Sequence, residues 1–164
     1  MFREMRRKMQ LLPDVESREV LERNTAGVLS LLGDEGYPYG VPMSYVLVGD
    51  QIFFHCAKEG HKIDAIRREE KASFCVIDED RVISAEYTTY FRSVIAFGRV
   101  HILENDEEKR NAIRILTEKY SGDQGEAGIE KEIDKHFAGL CMLRLDIEHL
   151  TGKESIELVR MKQK

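Results

Sequence analysis

The chain alternates between short runs of strand-forming residues and longer segments whose apolar positions have helical spacing. Segments in which apolar residues run together or alternate with polar ones are predicted to be strands: 28–32, 39–48, 52–57, 72–77, 90–103, 140–147 and, less regularly, 155–159. Segments with a one-sided apolar stripe are predicted to be helices: 15–23, 61–70, 106–120 and 129–137. This irregular order predicts a mainly β fold, α+β by helix content, with an antiparallel six- or seven-stranded β-barrel and peripheral helices.

Local signals refine the predicted barrel. Pro42 lacks a backbone donor, so its part of the strand is expected at an edge or a bulge. Gly98 interrupts the alternation of the longest strand and predicts a bend that curves the sheet. Asp14 is the expected N-cap of the first helix, with Val15 on its buried face, and 78–81 is read as a charged turn.

Composition bounds the class of protein. With 164 residues, 42% hydrophobic and 34% charged, the chain fits one soluble globular domain at 1–164. A net charge of -5 argues against a broad nucleic-acid surface. No apolar run reaches membrane-spanning length, and the N-terminal segment lacks a signal-peptide core, so a cytoplasmic location is expected.

Three widely spaced cysteines, Cys56, Cys75 and Cys141, do not form a zinc-binding pattern, and no metal site is predicted. Cys75 and Cys141 lie in apolar strand-like runs, where a free cysteine usually packs as a small hydrophobe. Cys56 lies beside the candidate site described next, where packing is favoured over reactivity.

The stretch 51–71 changes from strand pattern to helix pattern across a turn rich in histidine and lysine. A helix beginning near His61 presents unpaired backbone N–H groups and the positive end of its dipole, which together favour a phosphate. Lys62 adds a full charge, while His61 adds a donor and His55 faces the same space if the turn folds back. The alternative is an ordinary strand, turn and surface helix with a solvated Lys62.

Four segments in register resemble a known family. PYGVPMSY at 38–45, FHCAKEGHK at 54–62, YFRSVIAFG at 90–98 and the early Met5-Arg6-Arg7-Lys8 are similar to flavin-binding split-barrel proteins related to pyridoxamine 5′-phosphate oxidase. Within that superfamily the sequence resembles the nitroimidazole-reductase-like branch most. The resemblance covers roughly residues 5 to 150 in the same order.

This resemblance implies FMN held at the interface of a homodimer. It implies cofactor contacts from the following residues: Val41, Pro42, Met43, Ser44, Tyr45, His55, Cys56, Ala57, His61, Lys62, Tyr90, Phe91, Arg92 and Ser93. Core packing is the alternative for Tyr90 and Phe91. His55 is the expected substrate-facing catalytic residue, because a histidine can donate a hydrogen bond near pH 7.

The sequence also departs from the oxidases that define the superfamily. It has no tryptophan and ends in Arg160-Met161-Lys162, where those oxidases carry a tryptophan and an arginine-histidine motif for the substrate phosphate. Pro42 and Ser44 stand where they place arginine and lysine on the FMN phosphate. Pyridoxamine phosphate oxidation is therefore not expected, and anion binding depends more on His61, Lys62 and Arg92.

Three functions fit the resemblance. The first is an FMN-dependent oxidoreductase, in which the flavin carries the electrons and reduction of a nitroaromatic compound is the candidate reaction. The second is a flavin carrier or sensor with no dedicated substrate. The third is a haem-binding barrel with His55 or His61 as the axial ligand.

Overall fold

The computed structural model covers residues 1–163, which form a β-barrel with helices on its periphery. The strands are β1 Leu11–Leu12, β2 Ala26–Leu32, β3 Pro38–Ser44, β4 Val46–Val48, β5 Gln51–Ala57, β6 Lys71–Ile83, β7 Thr88–Ile102 and β8 Leu140–Glu154. The helices are α1 Asp14–Arg23, α2 His61–Arg68, α3 Asp106–Ser121, α4 Glu126–His136 and α5 Ile156–Lys162. None of these helices is long and apolar enough to cross a bilayer.

One antiparallel sheet contains all the strands of residues 1–163, in the order β3-β2-β6-β7-β8-β5-β4, with β1 beside β8. The two ends of this order, β3 and β4, are consecutive in sequence and separated only by Tyr45. The sheet therefore curves until its two edge strands, β3 and β4, come together. The polypeptide chain connects these two strands, but no ladder of hydrogen bonds pairs them. This is the split barrel that the sequence predicted.

Two apolar clusters lie on opposite sides of the barrel wall. The larger fills the interior, with Leu29, Phe54 and Phe74 fully buried. The smaller lies between α3, α4 and the outer side of β4, β5 and β8, where Met142 and Ile113 meet. The helices thus cover the outside of one half of the barrel.

The other half of the barrel has an outer side that α3 and α4 do not cover, called here the outer face. Phe2 packs against Phe97 on this side. By strand alternation the outer face consists of Ala26, Val28, Ser30, Leu32, Gly40, Pro42, Ser44, Ser73, Cys75, Ile77, Ser93, Ile95 and Phe97. The residues in this list are uncharged, and the same alternation places the charged pair Lys71 and Arg99 at the border of the face, beyond Ser73 and Phe97. Ile77 is 65% exposed and Val28 is 38% exposed, so the outer face presents apolar side chains to solvent.

Several local predictions are confirmed. Pro42 lies on β3, an edge strand whose ladder partner is β2 alone, and an edge strand is where a residue without a backbone N–H is tolerated. The register of β7 against β8 shifts between Phe97 and Gly98, which is the predicted irregularity.

Other local predictions are wrong for identifiable reasons. Segment 78–81 is not a turn, because β6 continues to Ile83 by pairing with β7 across a bulge. Segment 155–159 is the start of α5, where the Ser155 hydroxyl accepts a hydrogen bond from the Leu158 N–H.

The first helix also differs at its N-terminus. Asp14 does not cap α1 with its side chain, which instead accepts a hydrogen bond from Arg18 at 2.8 Å. Val15 is 67% exposed, whereas Val20 and Leu21 are fully buried. The buried stripe of α1 is therefore narrower than its apolar residues suggested.

Candidate functional site

The end of β3 and the start of α2 meet at one corner of the barrel. Lys62 Nζ lies 3.1 Å from Met43 Sδ, and no carboxylate of residues 1–163 pairs with this ammonium. A thioether is a weak acceptor, so the partly buried charge of Lys62 is left without a strong partner. The corner therefore favours an added anion.

The backbone at the start of α2 adds oriented donors. Gly60 precedes the helix with φ 121°, and no side chain caps it. The first backbone bond of the helix joins Asp64 N–H to Gly60 C=O, so the N–H groups of His61, Lys62 and Ile63 precede the hydrogen-bonded turn. Both the open N–H groups and the Lys62 charge attract an oxyanion.

The ring of His61 is directed elsewhere. It stacks on Tyr39 with 4.1 Å between ring centroids, and its Nε2 lies 3.4 Å from an Asp34 carboxylate oxygen. Asp34 also accepts from Arg68 at 2.7 Å, a bond that lowers the pKa of Asp34. The backbone of His61 thus lies at the anion corner, while a contact from its ring stays a prediction that requires the ring to leave Asp34.

A cavity of about 640 Å³ opens beside this corner, between the ends of β3 and β5 and the two helices α3 and α4. We call it the α3–α4 cavity. Its walls include Ser44, His55 and Cys56 from the strands, Ile113, Leu116, Thr117 and Tyr120 from α3, and Ile133, His136 and Leu140 from α4 and the start of β8. The strand residues were predicted from sequence, but the helical wall was not.

His55 occupies the strand side of the α3–α4 cavity. Partial burial and, to a smaller degree, the positive charge of Lys62 lower the pKa of this histidine. Its ordinary value is already below 7, so His55 is neutral at neutral pH. A neutral imidazole carries one N–H donor and one acceptor nitrogen into the cavity.

The remaining strand residues predicted to contact a cofactor fall on two sides of the barrel wall. Val41 and Met43 point inward and pack with the interior cluster, whereas Pro42 and Ser44 are exposed on the outer side. Ala57 is exposed at the end of β5, next to the turn that leads to α2. Because side chains alternate along β3, only every second one points to the interior of the barrel and the others point to its outer side.

Tyr45 is a core residue. Its side chain is fully buried, and its hydroxyl donates to the Leu21 carbonyl at 2.6 Å. Its backbone N–H donates to the Tyr120 hydroxyl at 2.9 Å, and Lys119 Nζ lies 4.4 Å from its ring centroid. A ligand contact from Tyr45 therefore stays a prediction that requires its backbone N–H to leave the hydroxyl of Tyr120, which lines the cavity.

The structure does not bring Tyr90, Phe91, Arg92 and Ser93 to this corner of the same chain. Ser93 pairs with Ile77, and the row from Pro42 through Val28 and Cys75 to Ile95 spans three strand spacings, about 14 Å. Phe91 lies beneath Lys153, with the ammonium 5.3 Å from its ring centroid. Contacts from this strand to a ligand at the corner stay a prediction.

Tyr90 and Arg92 already bind carboxylates of neighbouring residues. Tyr90 is 6% exposed and donates from its hydroxyl to Glu86 at 2.8 Å. The Arg92 guanidinium pairs with Asp78 and Glu154, each at 3.1 Å. Arg92 is therefore already neutralised, and the expectation that it supplies a free charge for an anion is not supported by this geometry.

Asp78 links this ion-pair cluster to α1 and makes part of the stability pH-dependent. Burial alone would raise the pKa of Asp78, but hydrogen bonds from Arg23, Asn24 and Arg92 outweigh it and lower the pKa to about 2. The resulting stabilisation, roughly 2 kcal/mol, is present above the unfolded value near 3.9 and is lost as pH falls through about 2.

We therefore expect Asp78→Asn to lower the free energy of unfolding by roughly 2 kcal/mol at pH 7. Urea unfolding measured from pH 7 down to pH 2 should show the difference from wild type shrinking below pH 4. Asp80→Asn, an exposed neighbour on β6, is the control. A difference that stays constant down to pH 2 would show that the Asp78 charge is not what stabilises the fold.

Residues 13–154 match the family model described as pyridoxamine 5′-phosphate oxidase. A search of curated proteins gives no match. The split barrel is similar to a solved, proposed 5-nitroimidazole antibiotic resistance protein from Bacteroides thetaiotaomicron VPI-5482, with 21% identity, coverage of 88% of this chain and 86% of that one, and a TM-score of 0.72.

Two further solved structures share the architecture. A conserved hypothetical protein from Mycobacterium tuberculosis has 19% identity, coverage of 94% and 92%, and a TM-score of 0.80. A FAD-binding protein from Mesorhizobium loti has 22% identity, coverage of 89% and 97%, and a TM-score of 0.61. At these identities the likeness shows a common fold, whereas the family model matches most of the chain itself. The chain belongs to the pyridoxamine 5′-phosphate oxidase family.

Proposed function

We propose that this protein is an FMN-binding oxidoreductase that works as a homodimer and reduces nitroaromatic compounds of the nitroimidazole type. The observation that carries the proposal is the unpaired ammonium of Lys62 at the open start of α2, beside the α3–α4 cavity. Family membership and the FAD-binding and nitroimidazole-resistance proteins that share the fold support a flavin as the ligand.

The FMN phosphate fits the corner formed by Lys62 and the first N–H groups of α2. A phosphate monoester carries up to two negative charges and three acceptor oxygens, so it uses a full charge and several oriented donors together. Gly60 keeps this approach open, since it has no side chain and its φ of 121° suits no other residue. Lys62, His61 N–H and Ile63 N–H are the proposed phosphate ligands.

The isoalloxazine ring would then extend from this corner along β3 and β5, past Pro42, Ser44 and His55, towards the α3–α4 cavity. Bound flavin would supply the one- or two-electron transfer that reduction of a nitro group needs. Ile113, Leu116 and Ile133 give the cavity an apolar wall that suits a flat aromatic acceptor.

His55 is the proposed substrate-facing residue. It is neutral at pH 7, so it binds a nitro oxygen by donating one N–H and does not add a second positive charge beside Lys62. This hydrogen bond strengthens as negative charge develops on the nitro group during reduction.

A second copy of the chain is the proposed cover for the flavin. The outer face is partly apolar, has the charged pair Lys71 and Arg99 only at its border, and includes Pro42 and Ser44, so it reaches the proposed ring site. Contiguous exposed apolar side chains on a soluble protein often mark an interaction surface. A symmetric dimer through this face would bury it and bring Phe91 and Ser93 of a neighbouring copy towards the ring, which would explain why one chain alone does not assemble all the predicted contacts.

The absorption spectrum of the purified protein tests the cofactor. We expect flavin bands, with FMN identified by mass spectrometry of the released chromophore; FAD alone would refute the FMN assignment, and a Soret band would indicate haem. The flavin is then reduced without oxygen and mixed with metronidazole. Reoxidation no faster than that of free reduced FMN would mean that the protein binds flavin without promoting this reaction.

In the same assay, His55→Gln is expected to slow reoxidation by metronidazole by roughly 10-fold or more, because a hydrogen bond that strengthens at the reacting group is lost. Flavin content should stay close to wild type, since His55 is not a proposed phosphate ligand. His101→Gln, a histidine on β7 outside the cavity, is the matched control. An unchanged rate in His55→Gln would remove this residue from the reaction.

Ile77→Lys is expected to convert a dimer to monomers, because it places a charge in the middle of the outer face. Light scattering across a range of concentrations measures the molecular mass. Val82→Lys is the control on the same strand, 72% exposed but outside the outer face. A wild-type protein that is monomeric with flavin bound would contradict the shared site.

A further inference from the structure

Cys56 and Cys141 are direct cross-strand partners in the ladder between β5 and β8. Directly opposed residues of an antiparallel pair point to the same side of the sheet. Here that side is the barrel interior, where Cys141 belongs to the core cluster and Cys56 packs against it. The fold therefore places side by side two thiols that are 85 positions apart in sequence.

The backbone geometry already suits a disulfide. Opposed residues in an antiparallel ladder have Cα atoms about 4.5 or 5.5 Å apart, depending on the type of pair. Disulfides span Cα separations of roughly 4.4 to 6.8 Å. Both types of ladder position fall within this window, so a bond needs no rearrangement of the strands, and both cysteines are free thiols in this structure.

The two thiols differ in access. Cys141 is 6% exposed, whereas Cys56 is partly exposed and lines the α3–α4 cavity. Cys56 is therefore the more accessible of the two cysteines. This is the arrangement of an attacking thiol with a resolving thiol behind it.

We propose that Cys56 and Cys141 form a redox-active dithiol that small-molecule disulfides oxidise to a cross-strand disulfide. The sulfur of Cys56, once deprotonated, attacks one sulfur of the oxidant, forms a mixed disulfide and releases one thiol. The sulfur of Cys141 then attacks Cys56 and releases the second thiol. The two protein thiols lose two electrons and two protons, and the oxidant becomes two thiols.

Burial and the neighbouring Cys141 raise the pKa of Cys56, with Lys62 opposing them only in part. The reactive thiolate is therefore scarce at pH 7, and its fraction grows about tenfold for each pH unit below the pKa. Oxidation should accelerate with this rise and continue to accelerate above pH 9, where an ordinary exposed thiol with a pKa near 8.5 is already mostly ionised. The proposal does not depend on the proposed flavin chemistry.

The test uses oxidised glutathione and intact-mass analysis, in a Cys75→Ser background that removes the third thiol. The parent protein is expected to lose two hydrogen atoms and gain a Cys56–Cys141 cross-linked peptide, faster at pH 9 than at pH 7. Adding Cys141→Ser should trap a glutathione adduct at Cys56, while adding Cys56→Ser should leave Cys141 unmodified in the native protein.

Two results would overturn the proposal. One is a parent protein that retains both thiols under native conditions although both titrate after denaturation. The other is a stable glutathione adduct at Cys56 when Cys141 is present. The cysteine-to-serine variants are first checked for native circular dichroism, and a variant that does not fold is replaced by the corresponding cysteine-to-alanine variant.

Discussion

Lys62→Ala is expected to weaken FMN binding by roughly 10- to 100-fold. A hydrogen bond to a charged group contributes about 1.5–3 kcal/mol, and the Lys62 ammonium has no carboxylate among residues 1–163 to hold it otherwise. For the same reason the unfolding free energy of the flavin-free protein should change little. Titration of flavin-free protein with FMN, followed by quenching of flavin fluorescence, measures the affinity.

Arg67→Ala is the matched control for this experiment. Arg67 lies on the same helix and carries the same charge, but its side chain is 64% exposed and contacts Asp64. Loss of this charge should leave FMN affinity nearly unchanged. If both variants weakened FMN binding equally, the overall positive charge of α2 would be what attracts FMN, and Lys62 would make no specific contact with it. Unchanged affinity in Lys62→Ala would move the phosphate away from this corner.

Gly98→Ala is expected to produce the largest loss of stability, about 3 kcal/mol or more. A Cβ at this position would lie 2.0 Å from the Asp146 carbonyl oxygen and 2.9 Å from the Asp146 carbonyl carbon. These are backbone atoms of the paired strand at the bulge, so relief requires β7 and β8 to separate locally. For a domain of this size the melting temperature should fall by roughly 6–12 °C.

Gly122→Ala is the control for the glycine substitution. Gly122 ends α3 with φ -60° and ψ -23°, and a Cβ there meets no atom within 4 Å. This change should be neutral or slightly stabilising, because alanine loses less conformational freedom on folding. A Gly98→Ala protein that melts like wild type would show that the ladder tolerates the added atom and that the bulge does not require glycine.

Local chemistry explains which features of the fold were predictable. Pro42 at an edge and Gly98 at a bulge follow from a missing donor and a missing Cβ, which act wherever those residues lie. The helix at 106–120 was predicted nearly to its ends, although Asn105 caps it by accepting from the N–H groups of Glu107 and Glu108. By contrast, the extension of β6 through 78–83 depends on pairing with β7, which no local pattern in that segment reveals.

The candidate site divides in the same way. The strand, turn and helix predicted from 51–71 are confirmed, whereas the anion site at the start of the helix stays a prediction, with Lys62 lying there beside Met43. It was not predictable that the side chains of His61, Tyr45 and Arg92 already contact other groups of the protein. Their partners, Asp34, Leu21 and Glu154 respectively, come from distant parts of the chain. Whether a polar side chain is available to a ligand depends on what else it contacts.

The amino-acid sequence by itself determined a β-barrel with peripheral helices, which the family resemblance specified as a split barrel. It also determined the edge at Pro42, the bulge at Gly98 and the helix start at His61, because each of these follows from backbone constraints or periodicity within one segment. Only the tertiary structure decided that α3 and α4 enclose a cavity over His55, that Cys56 faces Cys141 and that Arg92 is already neutralised. Those outcomes depend on strand register and helix packing, which join residues far apart in the chain and leave no local pattern in it.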